Sequence, residues 1–296
     1  ATATARKHKL DVESVRAVLA LARHEQRALD AYKRTAESRP WHEYRPIFLT
    51  EKRVQEGVRF WQTHEATLAR AHERFGVPHS IMVAIIGVET NFGQRKGNIR
   101  VVDSLVTLAF KYKKRAKFFK RELEEFLLLA AEGSVEPGRV NGSYAGAMGI
   151  PQFIASSYRA YSIDFDGDGK RDLLNSPVDA IGSVGNYLSR HGWRRGQAIA
   201  GRARLAKNSA REIAKKGYKP HLALADMRQR GVSGLASVPS KQLAALIRLE
   251  GANGPEHWLG LRNFYVITRY NHSPLYAMAV HQLAGEIKAK FKEARQ

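Results

Sequence analysis

The feature that most constrains this chain is Ile81-Met82-Val83-Ala84-Ile85-Ile86-Gly87-Val88, an apolar run that ends on a single carboxylate, Glu89. A segment apolar on every side must be enclosed by other elements to be stable. Pro78 and Ser80 read as helix-start residues and Gly93 as a left-handed stop, so the spacing predicts a buried helix over 80–93. Glu89 then falls in the last turn. Burial disfavours an ionised carboxyl, and so does the partial negative charge at a helix C-terminus. Both effects raise the pKa, which a proton donor working near neutral pH requires. The competing reading is a glutamate that leaves the helix for solvent, as most do. The run is too short to cross a bilayer, which needs about 20 residues.

Composition limits what surrounds this helix. A chain of 296 residues has ample material for a core, as one large domain or two to three small ones. Apolar content of 44% and charged content of 26% are those of a folded protein. No cysteine is present, which excludes disulfides, thiolate metal sites and cysteine nucleophiles. Lys and Arg number 49 against 28 Asp and Glu, a formal charge of +21 that attracts polyanions such as nucleic acid, anionic lipid or an acidic wall polymer. The densest basic cluster, Lys111 to Arg121, is interleaved with Tyr112, Phe118 and Phe119. It reads mainly as a solvated helix face with i,i+4 partners such as Arg121 and Glu125, one or two members lining a groove.

Helical periodicity is expected over 12–35, 54–75, 80–93, 104–111, 116–132, 152–161 and 177–191, and again from about 274 to 293. The character changes near Gly201. Leu243–Glu250 and Trp258–Tyr270 are rich in branched and aromatic residues and flank Gly251-Ala252-Asn253-Gly254-Pro255, which predicts two strands and their connection. The fold class is therefore α+β, mostly helical.

A second chemical signature is Asp164-Phe165-Asp166-Gly167-Asp168-Gly169-Lys170. Acids at positions 1, 3 and 5 with glycine at position 6 match the start of an EF-hand calcium loop, in which the Lys170 carbonyl turns inward. Asp164, Asp166 and Asp168 would repel one another without a cation. Position 12 is Asn175 rather than a bidentate glutamate, so Asp179 is the candidate closing ligand. Ser176-Pro177-Val178-Asp179 also reads as a helix start with a capping carboxylate. The cation would be structural, since no paired second loop is visible.

A third signature, Asn141-Gly142-Ser143-Tyr144-Ala145-Gly146-Ala147-Met148-Gly149-Ile150-Pro151-Gln152-Phe153, has the small residues that let backbone approach a ligand closely. It lacks the GxxxxGK[ST] spacing of a phosphate-binding loop.

Together with Ile267-Thr268-Arg269-Tyr270-Asn271-His272-Ser273, these motifs occur in an order that resembles the membrane-bound lytic murein transglycosylase B family of bacterial peptidoglycan-cleaving enzymes. The resemblance runs from about Tyr44 to Gln282. It implies a lysozyme-like catalytic core with an EF-hand-like calcium loop, a helical flanking domain and a small β domain. The corresponding boundaries are 77–198 for the core, 1–76 with 274–296 for the flank, and 199–273 for the β-containing domain. It implies Glu89 as the catalytic acid/base, and Tyr44, Arg115, Ser143, Gln152, Tyr187, Tyr270, Asn271 and Tyr276 as glycan-groove residues. The metal ligands would be Asp164, Asp166, Asp168, Lys170 and Asp179, with the calcium loop one residue longer than usual before Pro177. Phe118 stands where the family carries an aromatic hydroxyl. The family's founding members are lipoproteins, whereas no N-terminal cysteine stands here to carry a lipid, and no signal peptide is visible.

The expected reaction is cleavage of the MurNAc-GlcNAc bond without water, since no second carboxylate is placed by motif beside Glu89. No cofactor is expected for the chemistry, only structural calcium. Peptidoglycan strands are the expected partner, with cell-wall synthases and peripheral association with wall or membrane as further candidates, for a monomer in the periplasm. Two alternatives stand beside this reading. A hydrolytic muramidase would share Glu89, and a nucleic-acid-binding protein would explain the charge but none of the motifs.

Overall fold

The computed structural model describes residues 1–32, 39–206 and 211–295. Helices come first: α1 Thr2–His8, α2 Val12–Ala20, α3 Gln26–Ala31, α4 Trp41–Phe48, α5 Glu51–Thr63, α6 Glu65–Phe75 and α7 His79–Thr90. Then follow β1 Ile99–Arg100, α8 Val101–Lys111, α9 Ala116–Ala131, β2 Asn141–Gly142, α10 Ala155–Tyr161 and α11 Pro177–Arg190. The remainder is mixed: β3 Ala200–Arg202, β4 Arg204–Leu205, α12 Arg211–Ala214, β5 Leu222–Ala223, α13 Leu224–Gln229, β6 Val232–Ser233, β7 Leu243–Gly251, β8 Gly254–Gly260, α14 Arg262–Tyr270 and α15 Pro274–Glu293. Helix dominates and sheet is minor, as the α+β reading expects. Among the described residues no helix is long and apolar enough to cross a membrane.

Two compact units divide the chain, Ala1–Thr35 with Glu89–Asn186 and Ala36–Val88 with Tyr187–Gln296. This differs from the sequence-drawn boundaries at 76/77, 198/199 and 273/274. The N-terminal helices go with the first unit because α2 packs on α8 and α9, and α3 packs on α8. The sheet shares the second unit with α4 and α15 because α4 packs on both β7 and α15.

In the first unit, α8 buries Val101, Val102, Leu105 and Leu108, and α9 buries Phe119, Leu123, Phe126 and Leu127. The expected single helix over 12–35 is broken at 21–25, and its end at 33–35 lies outside the described residues. The break is held from a distance. The Arg23 N–H donates to Asp103 Oδ1 at 2.8 Å and the Glu25 N–H to Thr107 Oγ1 at 2.9 Å, so α8 side chains satisfy amides that a continuous helix would use itself. The expected Arg121–Glu125 pair is replaced by Glu125 with Arg159 at 2.6 Å.

In the second unit, β3-β8-β7-β5 form an antiparallel sheet over a cluster that includes Leu224, Met227, Leu246, Leu259 and Leu261. The two-residue connection Ala252-Asn253 joins β7 and β8, with Gly251 opposite Gly254. The strand expected over 258–270 stops at Gly260, and Arg262–Tyr270 is helix α14. Its branched and aromatic residues favour strand locally, but Phe264, Val266, Ile267 and Thr268 are buried along a helical face. The Asn263 side chain meanwhile donates to the Arg194 and Gln197 carbonyls at 2.8 and 3.0 Å. Tertiary burial overrides β-propensity here. The helix expected over 54–75 bends at His64 into α5 and α6, with no glycine or proline to announce it.

Candidate active site

Helix α7 buries Ile81, Met82, Val83, Ala84, Ile85 and Ile86 almost completely, then reaches Glu89 one residue before its end. Glu89 itself is half-buried. The helix stops earlier than the glycine suggests. Asn91 and Phe92 already take left-handed backbone, with φ of 49° and 61°, before Gly93 at 86°. Two consecutive non-glycine residues in that region are costly and persist only where neighbours enforce them. Thr90 is the enforcer. It is 1% exposed, its Oγ1 donates to the Ile150 carbonyl at 2.8 Å, and the same oxygen accepts from the Gly93 N–H at 2.9 Å. The end of the helix is thereby pinned to the Gly-rich segment. Thr90→Val keeps the shape but strands both groups. The expected result is a stability loss of about 1–3 kcal/mol, read by denaturant titration.

The Gly-rich segment needs its small residues. A Cβ on Gly142 would lie 2.1 Å from the Ala147 carbonyl oxygen, and one on Gly149 would lie 2.3 Å from that of Leu173. The close approach lets β1 and β2 pair, Ile99 with Gly142, and lets Met148 bridge to Gly142 and Phe153. Ser143 turns its Oγ into the loop, accepting from the Ala145 and Ala147 N–H groups at 3.2 and 3.1 Å. Gln152 lies before the helix rather than in it, with φ of 51°, because α10 starts only at Ala155. Its Nε2 donates to the carbonyls of Lys96 and Gly149 at 3.1 and 2.9 Å.

Arg115 is exposed, its guanidinium carbon 4.3 Å from the Phe118 ring centre and 5.6 Å from that of Phe119. Around it lies a group that the sequence reading missed. Tyr32 stacks on Tyr112 at 4.8 Å and meets Tyr144 of the Gly-rich segment edge-on at 5.3 Å. Burial pushes the Tyr32 hydroxyl up to about 12, so it stays a neutral donor and acceptor. Another missed residue is Glu122, 4% exposed, which accepts from the Ser156 N–H and hydroxyl at 3.0 and 2.8 Å. Burial raises its pKa against those two bonds.

The second unit holds the remaining groove candidates. Tyr187 meets Tyr270 edge-on at 4.9 Å, and Tyr270 stacks parallel to Tyr276 at 6.3 Å. The Tyr187 hydroxyl donates to the Arg269 carbonyl, which fixes the end of α14 beside it. Asn271 is the C-cap of α14, and Ser273 starts α15 by accepting from the Tyr276 N–H at 3.4 Å. The ring of Tyr44 is buried, packed on Trp41 and Phe48 of its own helix.

In the acidic loop, Asp164, Asp166 and Asp179 bring carboxylate oxygens within 4.8 Å of one another. Such a set of hard oxygens fits calcium or magnesium rather than a softer ion. Asp179 is buried. It accepts from the Phe165 and Asp172 N–H groups, both at 2.7 Å, and burial pushes its carboxyl up. The helix start read from sequence is present, since Ser176 Oγ accepts from the Asp179 N–H at 3.1 Å. The Asp179 carboxylate, however, turns to the loop instead of back to the cap. Ser176 also donates to Asp166 at 3.0 Å, a link no spacing rule announces. Asp168 and Lys170 are exposed and outside the gathered trio, with Asp168 Oδ1 accepting from the Lys170 N–H at 2.8 Å.

A half-buried carboxylate at the end of an apolar helix, a Gly-rich loop pinned to it and a carboxylate trio in one unit define a class. The chain belongs to the transglycosylase SLT domain family, which matches residues 1–285. Membrane-bound lytic murein transglycosylase B of Escherichia coli (strain K12) is 42% identical over 287 residues, 94% of this chain and 78% of that protein. Among solved structures, soluble lytic transglycosylase SltB1 from Pseudomonas aeruginosa is 47% identical with a TM-score of 0.92, covering 98% of this chain and 97% of the other. The Escherichia coli lytic transglycosylase Slt35 in complex with calcium is 40% identical with a TM-score of 0.87, covering 97% and 90%.

Proposed function

We propose that this chain is a lytic transglycosylase of bacterial peptidoglycan that uses Glu89 first as acid and then as base. The observation that carries the reading is the place of Glu89, half-buried at the end of an apolar helix whose last residue, Thr90, is tied to the Gly-rich segment; the other described carboxylates of the first unit have partners elsewhere. Ion pairs engage Glu13, Glu25, Asp103, Glu124, Glu125, Glu132 and Glu136. Hydrogen bonds engage Asp11, Asp30, Glu122, Asp164, Asp166, Asp168, Asp172 and Asp179. A conventional glycosidase needs a second carboxylate, as nucleophile or as base for water. A lytic transglycosylase does not.

Glu89 protonates the glycosidic oxygen between N-acetylmuramic acid and N-acetylglucosamine, and the C1–O bond breaks. The muramyl N-acetyl group stabilises the cationic centre. The ionised Glu89 then takes the proton of the muramyl 6-hydroxyl, whose oxygen closes on C1 to give the 1,6-anhydro ring. An internal nucleophile brings a high effective molarity, which offsets the loss of a second acid. In this reading Arg115, Ser143 and Gln152 of the first unit hold sugars and muramyl substituents, and within the second unit Tyr44, Tyr187, Tyr270, Asn271 and Tyr276 are separate glycan-binding candidates taken from the family resemblance. The exposed Arg115 suits a carboxylate, and the basic surface suits an anionic wall polymer in the periplasm.

Residues 77–198 serve as a lysozyme-like core in this reading, with 1–76 and 274–296 as helical flank and 199–273 as a small β-containing domain. Glu89, the Gly-rich segment and the acidic loop all lie within 77–198, which supports the assignment. Asp164, Asp166 and Asp179 would hold a structural calcium, joined by Asp168 and the Lys170 carbonyl. Calcium supplies stability to the loop and no chemistry.

Digestion of purified sacculi in oxygen-18 water tests the reaction. Every new muramyl terminus is expected to be a 1,6-anhydro end, one water lighter than a hydrolytic product, without label and resistant to borohydride. Label at those termini would show that water attacks, and a hydrolytic muramidase would replace the reading.

A further inference from the structure

A cavity of about 610 Å³ in the second unit is lined by residues of α4, α15 and the β7–β8 hairpin, none of them a groove or cation candidate named above. Its size falls within the roughly 300–1,000 Å³ of small-molecule sites. Two indoles line it, and they differ in one respect. The Trp258 N–H donates to Glu256 Oε2 at 3.2 Å. The Trp41 N–H meets no acceptor among the described residues, although Trp41 is only 1% exposed. Buried indole N–H groups normally find a partner, and one left without costs free energy that an acceptor from outside would recover. Trp41 lines the cavity, so what the indole lacks is an oxygen of a molecule bound there.

The charges at this cavity are already matched. Arg45 donates from Nε to Gln282 Oε1 at 2.9 Å and from Nη2 to Glu286 Oε1 at 3.0 Å. Arg202 pairs with Glu256 at 2.9 Å, its guanidinium carbon 4.3 Å from the Trp258 ring centre. A charged ligand would have to break one of these pairs to find its own counterion. A neutral one would not. Each pair is partly exposed and sets N–H donors beside carboxylate acceptors, which matches hydroxyl groups that donate and accept together. A neutral polyol that also carries one carbonyl meets both demands.

We infer that this cavity binds a neutral N-acetylated sugar. Its acetamido carbonyl accepts from Trp41 Nε1, and its hydroxyls bridge Arg45 with Glu286 and Arg202 with Glu256. The N-acetylglucosamine units of a glycan strand have this chemistry, whereas N-acetylmuramic acid adds a carboxylate. That the natural ligand is wall glycan rests on the transglycosylase reading, whereas the sugar site itself does not. The second unit then holds a strand at a place where no bond is cut.

The intact chain is titrated with N-acetylglucosamine, glucose and N-acetylmuramic acid while the indole N–H resonances are followed. N-acetylglucosamine is expected to move the Trp41 resonance downfield and saturably. The resonance of Trp193, already bonded to the Gly76 carbonyl at 3.1 Å, is expected to stay in place. Glucose lacks the acetamido carbonyl and is expected to bind about fivefold to tenfold more weakly at this resonance. N-acetylmuramic acid is expected to bind more weakly as well. Trp41→Phe keeps a ring, removes the donor and is expected to lose the preference for N-acetylglucosamine over glucose. Because that change also removes volume from a buried position, Glu286→Ala on the partly exposed rim is the second variant, expected to weaken both sugars. An unmoved Trp41 resonance, equal affinity for glucose and N-acetylglucosamine, tighter binding of N-acetylmuramic acid, or undiminished binding by Glu286→Ala overturns the site. None of these readings needs turnover. A chain that binds the sugar at Trp41 but releases no anhydro ends from sacculi keeps the site and loses the transglycosylase reading, and the reverse result does the opposite.

Discussion

Glu89→Gln is expected to leave a folded protein whose release of anhydro-muropeptides from sacculi falls by about a thousandfold or more. The amide has the size of the carboxyl, so the buried run Ile81–Ile86 that holds the helix and the Thr90 contacts to Ile150 and Gly93 are untouched. Stability is therefore expected to change by less than about 1 kcal/mol, as for a conservative change at a half-buried position. Chemistry has no such tolerance. In the proposed mechanism the side chain gives a proton to the glycosidic oxygen and takes one from the 6-hydroxyl; an amide does neither, so both halves are expected to fail together. Glu89→Asp separates position from proton. It keeps an ionisable acid but withdraws it by one methylene, and an intermediate activity is expected if reach is what matters. In the proposed mechanism the reaction begins from the protonated acid, so for the parent activity is expected to fall as pH rises through the ionisation of Glu89. Substantial turnover by the Gln variant would show that another group supplies the proton, and the roles of every groove residue would then have to be drawn again.

What could be read in the sequence was local. The buried helix that ends at Glu89 is legible because the apolar run, Pro78 and Gly93 all lie within a few residues, and the acidic loop because its carboxylates follow one another at fixed spacing. Contacts between distant residues left no such mark. Thr90 bonds to Ile150, Glu122 to Ser156 and the 23–25 break to Asp103 and Thr107, all across separations that no periodicity encodes. The same cause explains the misread strand at 262–270, where Asn263 anchors to carbonyls in 194–197 and the helix wins over propensity. Gln152 failed differently. Its left-handed backbone, φ 51°, is tolerated because its side chain satisfies the Lys96 and Gly149 carbonyls, a compensation visible only once the loop is folded.

Calcium is expected to raise the melting temperature, and the three acids to respond to its removal in different ways. An ion that binds only the native state stabilises it by about 2.7 kcal/mol at a hundredfold excess over its dissociation constant, roughly 4 °C for a protein of this size. Chelation removes that gain and leaves three carboxylates within 4.8 Å of one another. Asp166 is exposed, so its replacement by Ala should abolish the calcium response while relieving repulsion in chelator, leaving the apo protein as stable as the parent or slightly more so. Asp179 is different because it is buried and its two oxygens hold the Phe165 and Asp172 amides as well as lying in the trio with Asp164 and Asp166. Asp179→Ala strands both N–H groups, at a cost of about 1–3 kcal/mol each, so it should destabilise in calcium and in chelator alike. Asp179→Asn keeps one oxygen acceptor but loses the charge, and is expected to fall between the two. Melting curves of the parent and these variants, each with calcium and with chelator, read all of this out. Equal melting of the parent in both conditions would remove the ion from the loop, and a calcium response surviving in Asp166→Ala would remove Asp166 from its ligands.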